Sequence, residues 1–162
     1  MRENLLKECR VIDEHCTFSA EVHHIIAVNE NRYEKLVRAV PAVITAISSS
    51  LSFQSPDNEI WQWLTVVAAI TTVLASIFDF KKSYQSHIDA AKGFTILKHE
   101  ARALVLAFHE NMGDDELRSE TRRLLDEYMN LVRSAPPTTT AAFNKARNHI
   151  ESEGRHKSVE SE

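Results

Sequence analysis

The chain has 162 residues, a formal net charge of −4 and a charged fraction of 26%. That length suits one domain, and the acidic balance excludes a global electrostatic pull toward nucleic acid. Glycine (3) and proline (4) are scarce, so helix is expected nearly throughout.

Met1 to Lys35 contains neither Gly nor Pro. Leu5, Cys9, Ile12, Cys16, Ser19, Val22, Ile26, Asn29, Tyr33 and Leu36 step by threes and fours, which predicts a long amphipathic helix with a heptad-like seam. Cys9 and Cys16 lie two turns apart on it, about 10 Å along the axis, too far for a disulfide. Reduced thiols in a cytosolic segment are expected. The first apolar run starts only near residue 36, behind a segment crowded with acids, so no secretory signal is expected.

Two uncharged runs follow. Ala39 to Phe53 has Pro41 near its start and Ser48, Ser49, Ser50 and Ser52 in its distal half. Ala42, Ala46 and Ser50 repeat at i+4, a small-residue face that admits another helix closely. Gln54 to Glu59 reads as a turn, with Ser55-Pro56-Asp57 as a helix start. Ile60 to Phe78 is 19 residues without charge, about 28 Å as a helix against a hydrocarbon core of roughly 30 Å. Trp61 and Trp63 stand at its start, where tryptophan anchors at a membrane interface. Ala68, Thr72 and Ser76 make a second small-residue face, and Asp79, Lys81 and Lys82 end the run.

The flanking charges sort by side. Arg32, Lys35 and Arg38 precede the first run, Lys81 and Lys82 follow the second, and the turn between them has Asp57 and Glu59 but no base. The positive-inside rule then places both termini in the cytoplasm. A buried hairpin in a soluble bundle is the competing reading, and the serines of the first run are the weak point of a membrane span. Arg38 and Asp79, at the cytosolic ends of the two runs, either pair or act as separate membrane-boundary charges beside Lys81 and Lys82.

The periodicity does not stop at Lys82 but runs on through Phe80, Tyr84, His87, Ala91, Phe94, Leu97, Ala101, Leu104 and Phe108. Asn111-Met112-Gly113 is expected to stop this helix, with Gly113 as a C-terminal cap. Asp114 starts another, with a stripe of Leu117, Thr121, Leu124, Leu125, Tyr128 and Val132. Pro136-Pro137 breaks the chain before a short helix, capped by Thr139 or Thr140 and ending near Ile150. A polar tail follows.

No catalytic constellation appears. His99-Glu100 and His109-Glu110 open like HExxH, but positions 103 and 113 are Ala and Gly, so neither is a zinc-protease site. Cys9, Cys16, His15, His23 and His24 lie on the first helix; Cys9, Cys16 and His23 share a face at seven-residue steps, too long for one tetrahedral metal without ligands from a second helix. There is no phosphate-cradling glycine loop. Arg118, Arg122, Arg123 and Arg133 alternate with Glu116, Glu120, Asp126 and Glu127, as on a solvated, salt-bridged face. No cofactor, metal or direct nucleic-acid contact is expected. Ser48, Ser49, Ser52, Thr65, Thr72 and Ser76 read equally well as helix-packing and as pore-lining positions.

The expected fold is an all-α membrane protein: a two-helix transmembrane hairpin with long cytosolic helical extensions and a C-terminal helical pair. Residues 1–135 would form the two-span domain (cytosolic helix 3–36, spans 37–54 and 60–79, cytosolic helix 80–111, helix 114–134). Residues 136–162 would be a short helix and polar tail.

With that layout, the stretch KKSYQSHIDAAKGFTILKHEARAL (Lys81 to Leu104), with its aromatic, His-x-x-Ala-Ala and Leu-x-x-Glu-Ala elements, resembles the SLATT family, the SMODS- and SLOG-associating two-transmembrane effectors of bacterial conflict systems. The resemblance covers most of residues 5–135. It implies an antiviral, abortive-infection effector in the bacterial inner membrane, working as a homo-oligomer that permeabilises the bilayer. The trigger would come from a separate sensor protein, linked to nucleotide signalling or to a reverse transcriptase. A membrane scaffold that recruits a partner through its cytosolic bundle, without leak, is the alternative.

Overall fold

The structure, a computed structural model, describes the backbone of residues 1–54, 59–77 and 80–159 and the side chains of 1–51, 59–73 and 82–152. The described chain is all-α: α1 (Arg2–Gln54), α2 (Glu59–Ile77), α3 (Phe80–Ala103), α4 (Asp114–Ser134) and α5 (Thr140–Val159). A π-helical segment, Leu104–Phe108, and a 3-10 turn, His109–Asn111, extend α3 before α4 begins. The residues divide into two compact units, one of Met1–Ala27 with Gln85–Glu162, the other of Val28–Tyr84.

The first unit is a helical bundle built on three interlocking stripes. Cys9, Ile12 and Cys16 of α1 meet Ala90, Phe94, Leu97 and Ala101 of α3, with Leu104 just beyond it, and Leu117 and Leu124 of α4. Each set recurs at three- and four-residue steps, so each helix buries one continuous face. At Gly93 α3 leaves no room for a side chain against α4: a Cβ built there would stand 2.7 Å from Leu131 Cδ2. A smaller cluster joins Val22, Ile25 and Ile26 of α1 to Ala142 and Ala146 of α5. The Phe18 and Phe143 rings meet edge to face at 4.6 Å beside it.

Polar ties close the bundle at its edges. Arg2 pairs with Asp114 at 2.9 Å and donates to the carbonyl oxygens of Met112 (3.1 Å) and His109. One guanidinium thus satisfies carbonyls at the end of the α3 extension and faces the acidic first turn of α4. Arg102 pairs with Asp13 at 3.1 Å, and Arg123 bridges Glu100, Glu120 and Glu127. Thr139 Oγ1 accepts from the Ala142 amide at 3.3 Å and caps α5.

The second unit holds the later part of α1, α2 and the first residues of α3. Here the expected transmembrane hairpin is corrected. Among the described residues no helix is long and apolar enough to cross a membrane. The uncharged part of α1 begins at Ala39, and fifteen residues to Phe53 rise only about 22 Å as a helix, with four serines among them. α2 opens on a charge, Glu59, and carries Gln62, Thr65, Thr71 and Thr72 in its first four turns.

Three further sequence expectations change. The α1 seam stops near Ala27: Cys9, Ile12, Cys16, Val22 and Ile26 are buried and Ser19 is half-buried, but Tyr33 and Leu36 are more than half exposed. Phe108, placed on the α3 stripe, is exposed as well, because the wider π turn slips the register after Leu104. Gly113 is no left-handed C-cap. It lies at φ −68°, ψ 159° as the N-cap of α4, and no described residue has a positive φ.

Candidate functional site

In the unit of Val28–Tyr84, the hydroxyl-bearing side chains set the local geometry. Pro41 deprives α1 of one donor yet is buried within it. Thr45 Oγ1 donates back to the Pro41 carbonyl at 2.8 Å. Ser48, fully buried, lies 2.8 Å from the Ile44 carbonyl and 2.8 Å from Thr65 Oγ1, while Thr65 Oγ1 lies 2.9 Å from the Trp61 carbonyl. The Ser48–Thr65 contact is a direct hydroxyl bridge between α1 and α2. Thr71 and Thr72 donate to the carbonyls of Val67 and Ala68 at 2.8 and 2.9 Å. These hydroxyls are satisfied inside their own helix or by the facing one, so they do not depend on water.

The apolar side chains do the opposite and turn outward. Leu36, Val40, Val43 and Ile47 form one exposed stripe on α1; Ile60, Trp63, Val67, Ile70 and Val73 form another on α2. Val43 is 56% exposed and Val67 58%, whereas Ser48 is at 0%. A hairpin folded by water alone would bury the valines and expose the serine. This unit inverts that order, and an apolar patch of this extent on a monomer marks an interaction surface.

The sequence-derived site residues separate along this division. Ser48, Thr65 and Ala68 lie together on the inward faces, with Ser49 and Trp61 half-buried. Ala42, Ala46 and Ser50 are exposed, as are Trp63 and Thr72, so the i+4 alanines of α1 do not face Ala68 and Thr72. The inward face of α1 is one to two positions earlier, at Pro41, Thr45 and Ser48. Ser76 lies in α2 and Lys81 in α3 without a described side chain; Ser52 likewise lies in α1; Asp79 is outside the described residues. Arg38 pairs with Glu34 at 3.0 Å, and Lys82 is exposed.

The bundle unit holds one polar feature that spacing alone did not reveal. His23 of α1 and His87 of α3 are both buried, with their Nδ1 atoms 2.9 Å apart. The His23 ring stacks on Phe94 at 5.7 Å. Burial, reinforced by His87, lowers the His23 pKa from 6.5 to about 4, so His23 stays neutral while the two rings share a hydrogen bond. Both histidines sit on their helices' buried stripes, which was the available signal; their pairing depends on how α1 and α3 meet. Cys9 and Cys16 are free, buried thiols. Burial raises both, Cys16 to about 12, which makes them core residues and not nucleophiles. Among the described residues no group of three or more His, Cys, Asp or Glu side chains is placed to hold a metal ion. Arg123 is occupied by three carboxylates, as on a salt-bridged face.

No curated protein and no solved structure matches the chain. A family pattern does, over residues 3–162. It describes effector domains of conflict and defence systems, associated with SMODS and SLOG partners. With nearly its whole length matched, the chain belongs to the SMODS and SLOG-associating 2TM effector domain family 4.

Proposed function

We propose that the chain is a non-enzymatic effector of a bacterial antiviral defence system, which self-associates at the inner membrane and permeabilises it when a separate sensor protein signals. The observation that carries this is the inverted arrangement of the unit Val28–Tyr84. Its apolar stripes face outward, and its hydroxyls are paired inward or on their own backbones. Lipid demands both, since it solvates apolar side chains and leaves unpaired polar groups costly. The family's description as a two-transmembrane effector supports a membrane location. Exposed Trp63 suits the headgroup layer.

Dye release from anionic vesicles tests it. The purified chain should release trapped carboxyfluorescein, and its induced expression should depolarise cells. Val43→Asp with Val67→Asp should abolish both, because each places a charge on an outward stripe. Ala46→Leu, on the exposed face of α1, should weaken release by disturbing contact between copies. Vesicles that bind the protein yet keep their dye would overturn permeabilisation and leave the scaffold reading.

A further inference from the structure

A pocket of about 610 Å³ opens in the bundle unit between α1, α3 and α5. It exists because two alanines, Ala20 and Ala91, face it where larger side chains would fill the space. Its apolar wall is aliphatic, from Ile88, Ile96 and Ile150. Its polar rim is basic: Lys92, Lys98, His24 and His149 against one acid, Glu21. That acid is already engaged by His149 at 3.0 Å. Lys92 and Lys98 have no carboxylate partner among the described residues.

The volume falls within the usual range for small-ligand pockets, and the lining discriminates between anions. No Phe, Tyr or Trp lines the pocket, and its two imidazoles, His24 and His149, stand at the rim, where His149 is held by Glu21. The hydroxyls of Thr17 and Thr95 donate their protons to the carbonyls of Asp13 and Ala91, both at 2.8 Å, and can only accept from a ligand. The pocket therefore offers positive charge at its mouth and branched aliphatic contact within, and little that would read a planar heterocycle. We propose that it binds a single-chain anionic amphiphile, its carboxylate or phosphate head at Lys92 and Lys98 and its acyl chain against Ile88, Ile96 and Ile150. A fatty acid and a phosphate-headed lysolipid share that chemistry. The site is separate from the outward stripes of Val28–Tyr84 and does not rest on the permeabilising role.

Calorimetric titration of the full chain with laurate and with monododecyl phosphate, both below their micellar concentrations, tests it. One saturable site per chain is expected. Lys92→Glu with Lys98→Glu, both in surface-accessible positions, should weaken it at least tenfold. Ala20→Leu should do the same by filling the pocket, and Lys145→Glu, outside it, should leave it unchanged. Tighter binding of the phosphate assigns a lysolipid head and tighter binding of laurate a fatty acid; either upholds the site. Amphiphile binding that survives both the charge-reversed pair and Ala20→Leu would overturn it, by placing the ligand on the apolar stripes instead. Binding of AMP that depends on Lys92 and Lys98, with no such dependence for laurate, would overturn it in favour of a nucleotide.

Discussion

Acidification should strip stability from the bundle through one residue. His23 is 3% exposed and its pKa falls from 6.5 to about 4 because burial and the adjacent His87 disfavour its charge. Between those values the unfolded chain binds a proton that the folded chain refuses. Unfolding free energy therefore rises with pH across this window: it is complete above pH 6.5 and is lost as pH falls toward 4. At pH 4.5, two units below the unfolded pKa, the loss is about 2.7 kcal/mol at 1.36 kcal/mol per unit, a large fraction of an ordinary domain's stability. Urea denaturation of the full chain at pH 7.5, 6.5, 5.5 and 4.5, followed by helical circular dichroism, measures it. His23→Gln separates this residue from the carboxylates that also titrate: the variant is less stable at neutral pH but should lack most of the slope between 6.5 and 4.5. A proton NMR titration of the His23 ring should have its midpoint near 4. Equal slopes in both proteins, or a ring midpoint near 6, would refute the reasoning.

Arg2→Ala should cost about 1–2 kcal/mol by releasing the carbonyls of Met112 and His109, and Arg2→Lys should recover less than half of it, both read from urea midpoints. The Ser48–Thr65 bridge predicts a coupling of about 0.5–1.5 kcal/mol in a double-mutant cycle of Ser48→Ala and Thr65→Val; purely additive losses would show that the hydroxyls act only on their own helices. Gly93→Val should destabilise by about 1–3 kcal/mol, since its side chain must displace Leu131. At pH 8 the Cys16 thiol, pushed up to about 12, should alkylate on the order of a thousandfold more slowly in the folded chain than in urea, and Cys9, raised by burial as well, should also be slowed.

Much of the bundle is legible in the sequence, because a buried helix face leaves a three-four pattern that no other arrangement requires. Cys9, Ile12 and Cys16, Phe94, Leu97 and Ala101, and Leu117, Thr121 and Leu124 are all found on buried stripes. The family resemblance rests on the layout of the helices together with the aromatic, His-x-x-Ala-Ala and Leu-x-x-Glu-Ala elements of Lys81 to Leu104. The stretch from Leu36 to Val73 is harder, because small, hydroxylated and aliphatic residues there all recur at helical spacing. Ala42, Ala46 and Ser50 compete with Pro41, Thr45 and Ser48 for the inward face, and only the Ser48–Thr65 bridge decides between them. Length and lack of charge alone overstated the case for two spans. The His23–His87 pair and the pocket beside Ala20 and Ala91 arise from contacts between distant segments, which periodicity within one helix does not encode.

The π turn at Leu104–Phe108 has a consequence for how this chain can vary. Such a turn is an α-helix that carries one surplus residue. The bundle contacts of Ala90, Phe94, Leu97 and Ala101 are set before the surplus, and Arg2 holds the chain again just after it at His109 and Met112. Losing one residue between Leu104 and Phe108 would restore regular winding and carry Phe108 back toward the buried stripe, with the upstream register untouched. The segment is thus the place where a one-residue deletion can leave the bundle contacts on its upstream side intact while changing the side chain presented at its corner.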